Sequence, residues 1–296
     1  MLLKVLKKII KHNYLLFRDE INILKNKNNW KCKTLFEADS QIIRDMYSEY
    51  SPVFVLSTGR CGTKFLSELL SNFNNIEAYH AVEPTMELFC NDVYYFNNKE
   101  NREFLEFIFK SIRYKVILAT YIKNKIYFES NHALTFFAYA INNCFNNAKF
   151  IHIIRDPETF VRSAYIRNWY TNSSIWDAGR LEMENKKNWD KLDRTEKYFW
   201  LWNSTNQFIE EFKKNKKDVQ VYTIKFEELF SDIDKLVKLV EFVGVKNINI
   251  NFLKKFMGKK INSNKKKLSE HQFSCNNVEH KKIKNITNLT KKYNYL

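Results

Sequence analysis

Glycine and proline are scarce in this 296-residue chain, five and three respectively. That scarcity excludes collagen-like and proline-rich architectures. The five cysteines (Cys32, Cys61, Cys90, Cys144 and Cys275) are odd in number and widely scattered. They form no CxxC pair and no Cys/His metal spacing, which argues against a disulfide framework or zinc module and points to a reducing compartment, with no metal expected. No run approaches the roughly twenty apolar residues of a membrane span, and the N-terminus lacks the apolar stretch and small-residue cleavage site of a secretory leader. The expectation is a soluble, cytoplasmic protein, in which Asn-x-Ser/Thr sites such as Asn203 and Asn288 carry no sugar. No internal repeat is visible, and no polar stretch is long enough to read as a disordered domain.

What the chain does have is apolar mass and positive charge. Hydrophobic residues make up 45% and aromatics 16%, enough for one sizeable core. The net charge of +16 sits at the two ends: residues 1–31 carry eight Lys/Arg against two acids, and residues 253–296 carry twelve Lys against two Glu. The middle is close to neutral. Basic ends suit a polyanionic substrate, an anionic membrane surface or a phosphate-rich nucleotide, and they equally suit solubility alone. Leu2, Leu3, Leu6, Ile9 and Ile10 recur at helical spacing between Lys4, Lys7, Lys8 and Lys11. This predicts a basic amphipathic helix, one that packs on the domain or makes peripheral contact with the inner membrane surface. The division expected is an N-terminal helical segment, 1–50, and one domain, 51–296.

From Pro52 onward short apolar runs alternate with longer helical stretches, the pattern of an α/β fold with a central parallel sheet flanked by helices. Strands are predicted at 53–57, 125–129, 149–154 and 219–224, with a weaker one at 76–79. Helices are predicted at 63–73, 85–95, 102–114, 133–145, 157–169, 194–214 and 233–243. Pro157 suits a first helical turn and Gly244 a C-cap.

The first strand runs straight into Ser57, Thr58, Gly59, Arg60, Cys61, Gly62, Thr63 and Lys64, and an amphipathic helix follows. Position makes this a phosphate loop. Two glycines allow a tight turn, so that successive N–H groups and a helix N-terminus converge on an anion, while Arg60 and Thr63 add charge and a hydroxyl. It is not the ATPase loop, which needs Gly, four residues and Gly-Lys-Ser/Thr; Ser57 stands at the first glycine and Thr63 at the lysine.

The run from Ser57 to Leu66 resembles the 5'-phosphosulfate loop of sulfotransferases that use the donor PAPS, 3'-phosphoadenosine-5'-phosphosulfate. Two positions depart from that loop's usual form, Cys61 for Ser and Lys64 for a hydroxyl residue. A second segment carries the resemblance independently: the strand at 149–154 ends in Arg155-Asp156-Pro157, and Ser163 lies eight residues after Arg155. In the family an Arg and a Ser at this spacing hold the donor's 3'-phosphate, the Arg through its forked donors and the Ser through its hydroxyl. Trp200, Trp202 and Asn203 resemble the aromatic and Asn cluster of the family's long helix. The resemblance covers the chain from about residue 50 and implies a P-loop, nucleoside-kinase-like sulfotransferase fold, with PAPS as co-substrate, PAP as product and no metal.

Sulfuryl transfer needs a base for the acceptor's proton and a cation for the charge developing on the leaving phosphate. Arg60 is the candidate cation. Two residues compete as base. His132, in Phe-Glu-Ser-Asn-His, stands where cytosolic sulfotransferases carry Lys-Thr-His, with Ser130 in place of the Lys. Glu83 follows the loop helix, where carbohydrate and tyrosine sulfotransferases place a catalytic Glu. Glu129 is a third candidate, behind these two, and His80 reads as structural or substrate-facing. Acceptor contacts are expected between Trp169 and Tyr198, with a carbohydrate or lipid among the possible acceptors, and Lys265, Lys266 and Lys267 lie where relatives close a basic loop over the nucleotide. Two other readings remain: a kinase of the phosphate-loop class, and a non-catalytic polyanion or nucleic-acid binder whose affinity falls with salt.

Overall fold

Five short runs rich in β-branched and aromatic residues build the sheet that the alternation predicts. In the computed structural model these are β1 (Val53–Leu56), β2 (Ile76–His80), β3 (Ile126–Ser130), β4 (Lys149–Ile154) and β5 (Gln220–Lys225). All pair in parallel, in the order β2-β3-β1-β4-β5. The structure describes residues 40–171, 177, 179–258 and 289–295. The basic N-terminal helix, Lys265 to Lys267 and part of the expected acceptor segment lie outside these. The chain divides into two compact units, Met1–Asp45 and Met46–Leu296. Of the first, the described residues comprise only the opening turns of helix α1 (Ser40–Glu49).

Helices follow the strands as parallel crossovers require. They are α2 (Thr63–Leu70), α3 (Cys90–Phe96), α4 (Arg102–Ile122), α5 (Ala138–Cys144), α6 (Pro157–Ile166), α7 (Lys186–Lys191), α8 (Arg194–Asn215), α9 (Glu228–Ser231), α10 (Ile233–Val243) and α11 (Ile250–Met257). The helix expected at 102–114 runs on to Ile122, because Lys115 to Ile122 contains no breaker. Those expected at 85–95 and 133–145 begin instead as 3-10 turns, Glu87–Phe89 and His132–Phe137. The helix at 157–169 stops at Ile166, beyond which Asn168 and Tyr170 take left-handed backbone angles.

Alternation along β1 sends Val53 and Val55 to one face and Phe54 to the other. The valine face packs with Leu66, Ile151, Ile153, Leu239 and Val240 against α2, α10 and α11. On the opposite face Phe54 meets Phe109, Tyr127 and Phe150, and Phe150 meets Phe212. Both faces are therefore buried, as a parallel sheet demands. Matching registers (Val55 with Ser130 and with Ile151, His80 with Ser130) bring the chain out of β1, β2, β3 and β4 along one carboxyl edge. Ligands of open α/β sheets bind at that edge.

One buried group makes the fold sensitive to acid. His152 on β4 is fully enclosed; one ring nitrogen lies 3.0 Å from Asn206 Oδ1 and the other 2.8 Å from Lys213 Nζ. Burial, with the Lys213 charge beside it, lowers its pKa to about 3. An unfolded histidine takes up its proton near pH 6.5, so between there and about 3 the unfolded state binds more protons and stability drops as pH falls. The expected contribution is at most about 1.4 kcal/mol per pH unit. Urea unfolding between pH 4 and 7 should show His152→Gln with a shallower dependence than the native chain. Equal slopes would show that His152 is already charged in the folded state.

Candidate active site

The turn after β1 is set by its glycines. Gly59, Arg60 and Gly62 all have positive φ (76°, 56° and 79°), so peptide N–H groups turn inward rather than continue the strand. A left-handed arginine costs of order 1 kcal/mol and persists only where the surroundings fix it. They do so here. Thr135 Oγ1 accepts from Ser57 N and donates to Ser57 O, both at 3.0 Å, and Ser57 Oγ accepts from Gly59 N at 3.1 Å. Cys61 is enclosed, its thiol 3.0 Å from Gly59 O and 3.2 Å from Thr58 Oγ1. Burial pushes that thiol up to about 11, so it stays protonated and serves the turn rather than a ligand.

The other half of the turn faces a cleft of about 460 Å³, within the usual size range of small-ligand sites. Arg60, Gly62, Thr63 and Lys64 line it from the loop, and Arg155 and Ser163 from the β4–α6 junction. Ser57, Thr58, Gly59 and Cys61, expected beside the same ligand, are not among the residues lining the cleft and bond within the turn or to Thr135. Residues 95 and 103 apart in sequence meet here: Arg155 Nη1 donates to Arg60 O at 2.7 Å, and Arg60 Nε donates to Ser163 Oγ at 3.1 Å. The two separated strand ends thus form one surface.

Arg155 is held from three further directions. Its Nε donates to Thr159 Oγ1 at 3.0 Å, its guanidinium lies 4.3 Å over the Phe226 ring, and its carbonyl accepts from Trp202 Nε1 at 2.8 Å. Asp156 caps α6 through Thr159 N, and Glu227 accepts from Asp156 N. Arginine and lysine side chains line the cleft, and among the described residues no carboxylate does. Arg60 feels burial and the neighbouring charges of Arg167 and Arg155, which lower its pKa to about 10; it remains a cation at neutral pH. Geometry and charge alike describe a site for a ligand with more than one anionic group.

A sulfotransferase family model matches residues 52–248. The chain belongs to the sulfotransferase family. No curated protein sequence matches it. Among solved structures it is similar to the sulfotransferase domain of the curacin biosynthetic pathway, at 14% identity and a TM-score of 0.46, over 68% of this chain and 76% of that one. It is similar also to the sulfotransferase domain of a Synechococcus olefin synthase, at 14% identity and a TM-score of 0.44, over 69% and 77%. A mouse sulfotransferase solved in complex with PAP matches at 13% identity and a TM-score of 0.42, over 88% and 91%.

The remaining candidates of the sulfotransferase sort themselves by position. His132 is half-buried with its ring against the loop; a Cβ placed on Gly59 would stand 3.2 Å from His132 Cγ. Burial and the Arg180 charge lower its pKa to about 3. It lines a second, small cavity behind the loop with Ser57, Thr58, Glu87, Arg180 and Thr205. Glu83 is exposed, and its Oε2 accepts from Thr85 N at 3.1 Å. Glu129 is committed to Arg113, with contacts of 2.8 Å from both Nε and Nη2. His80 lines the cleft, its Nδ1 3.0 Å from the Ser130 carbonyl oxygen. Among the described residues no three His, Cys, Asp or Glu side chains are grouped to hold a metal, and no helix is long and apolar enough to cross a membrane.

Phe65, within the loop run, and Arg162, beside Ser163, also line the cleft, together with Thr159, Ile166, Phe226 and Phe230, to which the sequence assigned no role. Arg162 and Ile166 share a helix face with Ser163 and Thr159, which a helical projection from Arg155-Asp156-Pro157 would have exposed. Phe226 and Phe230 come from beyond β5, and only tertiary folding brings them to the loop.

Proposed function

We propose that this sulfotransferase takes its sulfuryl group from PAPS and passes it to an acceptor hydroxyl or amine, releasing PAP. The observation that supports this best is the Arg155–Arg60–Ser163 junction. It joins a left-handed anion turn to a second guanidinium and hydroxyl across one cationic cleft. A donor bearing phosphate at both 5' and 3' positions fits such a two-ended site, with the phosphosulfate over Arg60 to Lys64 and the 3'-phosphate at Arg155 and Ser163. The Phe226 and Phe230 rings offer a face for the adenine.

In the reaction the bond between sulfur and the bridging oxygen breaks, a bond from sulfur to the acceptor forms, and the acceptor's proton must leave. Arg60 supplies positive charge where the leaving phosphate gains negative charge. Glu83 is assigned as the base. His132 would have to become a cation beside Arg180, in surroundings that already hold it neutral, whereas a carboxylate that accepts a proton loses charge rather than adding it. Glu83→Ala is expected to lower turnover about 100-fold, with His132→Asn within about tenfold of the native enzyme. The reverse ranking, measured with labelled PAPS and an acceptor panel, would transfer the role to His132.

Calorimetric titration with PAP, ATP and a random oligonucleotide tests the donor. PAP is expected to bind most tightly, and Arg155→Ala to weaken it about 10–100-fold through loss of a charge-assisted phosphate contact. Preference for ATP would favour a kinase, and salt-sensitive oligonucleotide binding without PAP binding would favour a polyanion binder.

A further inference from the structure

We infer that Arg113 is a positioning residue for the proposed base, fixing the loop that carries Glu83 from the buried side. This rests on the reading of Glu83 as base. Arg113, on α4, is 1% exposed and engages Glu129, also 1% exposed, through two contacts of 2.8 Å. The same guanidinium has donors left over, and they go to the Glu83 loop. Nη1 donates to Pro84 O at 3.0 Å and Nη2 to Val82 O at 3.2 Å, so the two carbonyls flanking Glu83 share one anchor. Asn131 Nδ2 extends the anchor, donating to Thr85 O at 2.9 Å and to Glu129 Oε1 at 3.2 Å.

The loop needs such support. It is bracketed by two non-glycine residues in left-handed conformation, Ala81 (φ 50°) and Met86 (φ 65°), which persist only where neighbours over-determine them. Stability alone does not account for the pair either, since a buried ion pair is commonly replaceable by apolar side chains without loss. An apolar replacement has no donors for Val82 and Pro84. What the guanidinium adds is a fixed fork of N–H groups that sets the backbone of residues 82–85, and with it the direction of the Glu83 carboxylate. Proton transfer demands this: a misplacement of about 1 Å is enough to cost on the order of 100-fold in rate.

The test pairs Arg113→Met/Glu129→Gln, which removes both charges and keeps an acceptor for the Tyr127 hydroxyl, with Glu83→Ala in a double-mutant cycle. Turnover is read as PAP released from PAPS with 2-naphthol and N-acetylglucosamine as probe acceptors. The paired variant is expected to lower kcat about 30–100-fold with KM for PAPS and the PAP dissociation constant within about threefold. In the Glu83→Ala background it should add less than about threefold, because a base that is absent cannot be misplaced. Amide exchange over residues 81–88 should rise about tenfold or more while exchange over the 57–64 turn stays unchanged.

Exchange decides the anchoring without any acceptor. If the folded variant leaves it unchanged, or if the full rate loss recurs without Glu83, the inference is overturned. Should Glu83→Ala alone retain full turnover, the base reading fails while the exchange result still reports on the anchor. Asn131→Ser guards against a variant that does not fold: serine can cap the 3-10 turn, as Asn131 Oδ1 does toward Ala133 N, but cannot reproduce the amide bond to Thr85 O. It should show the same pattern at about 3–10-fold, and unchanged exchange there overturns the inference equally.

Discussion

Arg60→Ala is expected to lower sulfuryl transfer by about 10³- to 10⁵-fold, the range over which a single arginine acts on a transferred phosphoryl group. The native guanidinium remains charged at neutral pH although burial lowers its pKa to about 10, and its Nε donates to Ser163 Oγ at 3.1 Å. One side chain thus connects the turn to the helix that carries Ser163, the residue proposed to hold the second phosphate. Alanine in the left-handed region at residue 60 costs about what arginine does, so the thermal midpoint should stay within a few degrees. PAP affinity should fall only about tenfold, because Arg155, Lys64 and the loop amides remain. The gap between the two losses carries the meaning: it is stabilisation used in the transition state and not in the ground state. Equal losses in affinity and turnover would reduce Arg60 to an anchor for the donor.

How much of this was readable from the sequence follows from how local each feature is. The loop from Ser57 to Lys64 and the pair Arg155 and Ser163 are short-range patterns, a strand, a turn and the first turns of a helix. Their residue types are dictated by backbone angle and anion chemistry, and the structure brings Arg60, Arg155 and Ser163 together. The sheet was legible for the same reason, since β1 to β5 are apolar runs bounded by turns. By contrast α7 (Lys186–Lys191) is a six-residue turn of helix whose Lys-Lys-Asn-Trp-Asp-Lys has no apolar period. Its Trp189 is buried by Tyr170 and Trp200, contacts made only after folding. Helix α11 was lost among the lysines of the basic C-terminal region, where Leu253 and Phe256 alone mark a buried face.

The base is the part least accessible to sequence reading. Glu83 lies in the loop after β2, Glu129 on β3 and His132 just beyond it, and nothing in their spacing reveals that Glu129 is bound to Arg113. That pairing joins a mid-helix position on α4 to β3. It also ties down the loop between β2 and the first 3-10 turn, where no hydrophobic period exists to be recognised. Only the folded surroundings set the three apart: Glu129 is paired with Arg113, His132 lines the small cavity with Ser57 and Thr58, and Glu83 is exposed with an oxygen bonded to Thr85 N.

Gly62→Val should abolish donor binding more completely than removal of any single cation, lowering PAP affinity by about 10²- to 10³-fold. Gly62 is the N-cap of α2, at φ 79° and ψ 14°, a region that a β-branched residue enters only under strain of roughly 1–3 kcal/mol. A Cβ there would stand 3.1 Å from Leu229 Cδ1 and 3.2 Å from Phe226 Cδ2. These neighbours have little freedom. Leu229 is fully buried, and Phe226 lies under the Arg155 guanidinium. Relief must therefore come from the loop, which would swing its amides off the anion position, or from Phe226, which would release Arg155. Either path dismantles the junction, so the loss exceeds that of Arg155→Ala, and overpacking of this kind lowers stability by about 1–3 kcal/mol as well. Gly62→Ala should fall between the two, keeping the strain and the close contact but not the branched methyls. Native PAP affinity in a folded Gly62→Val protein would mean that the donor is not held by this turn at all.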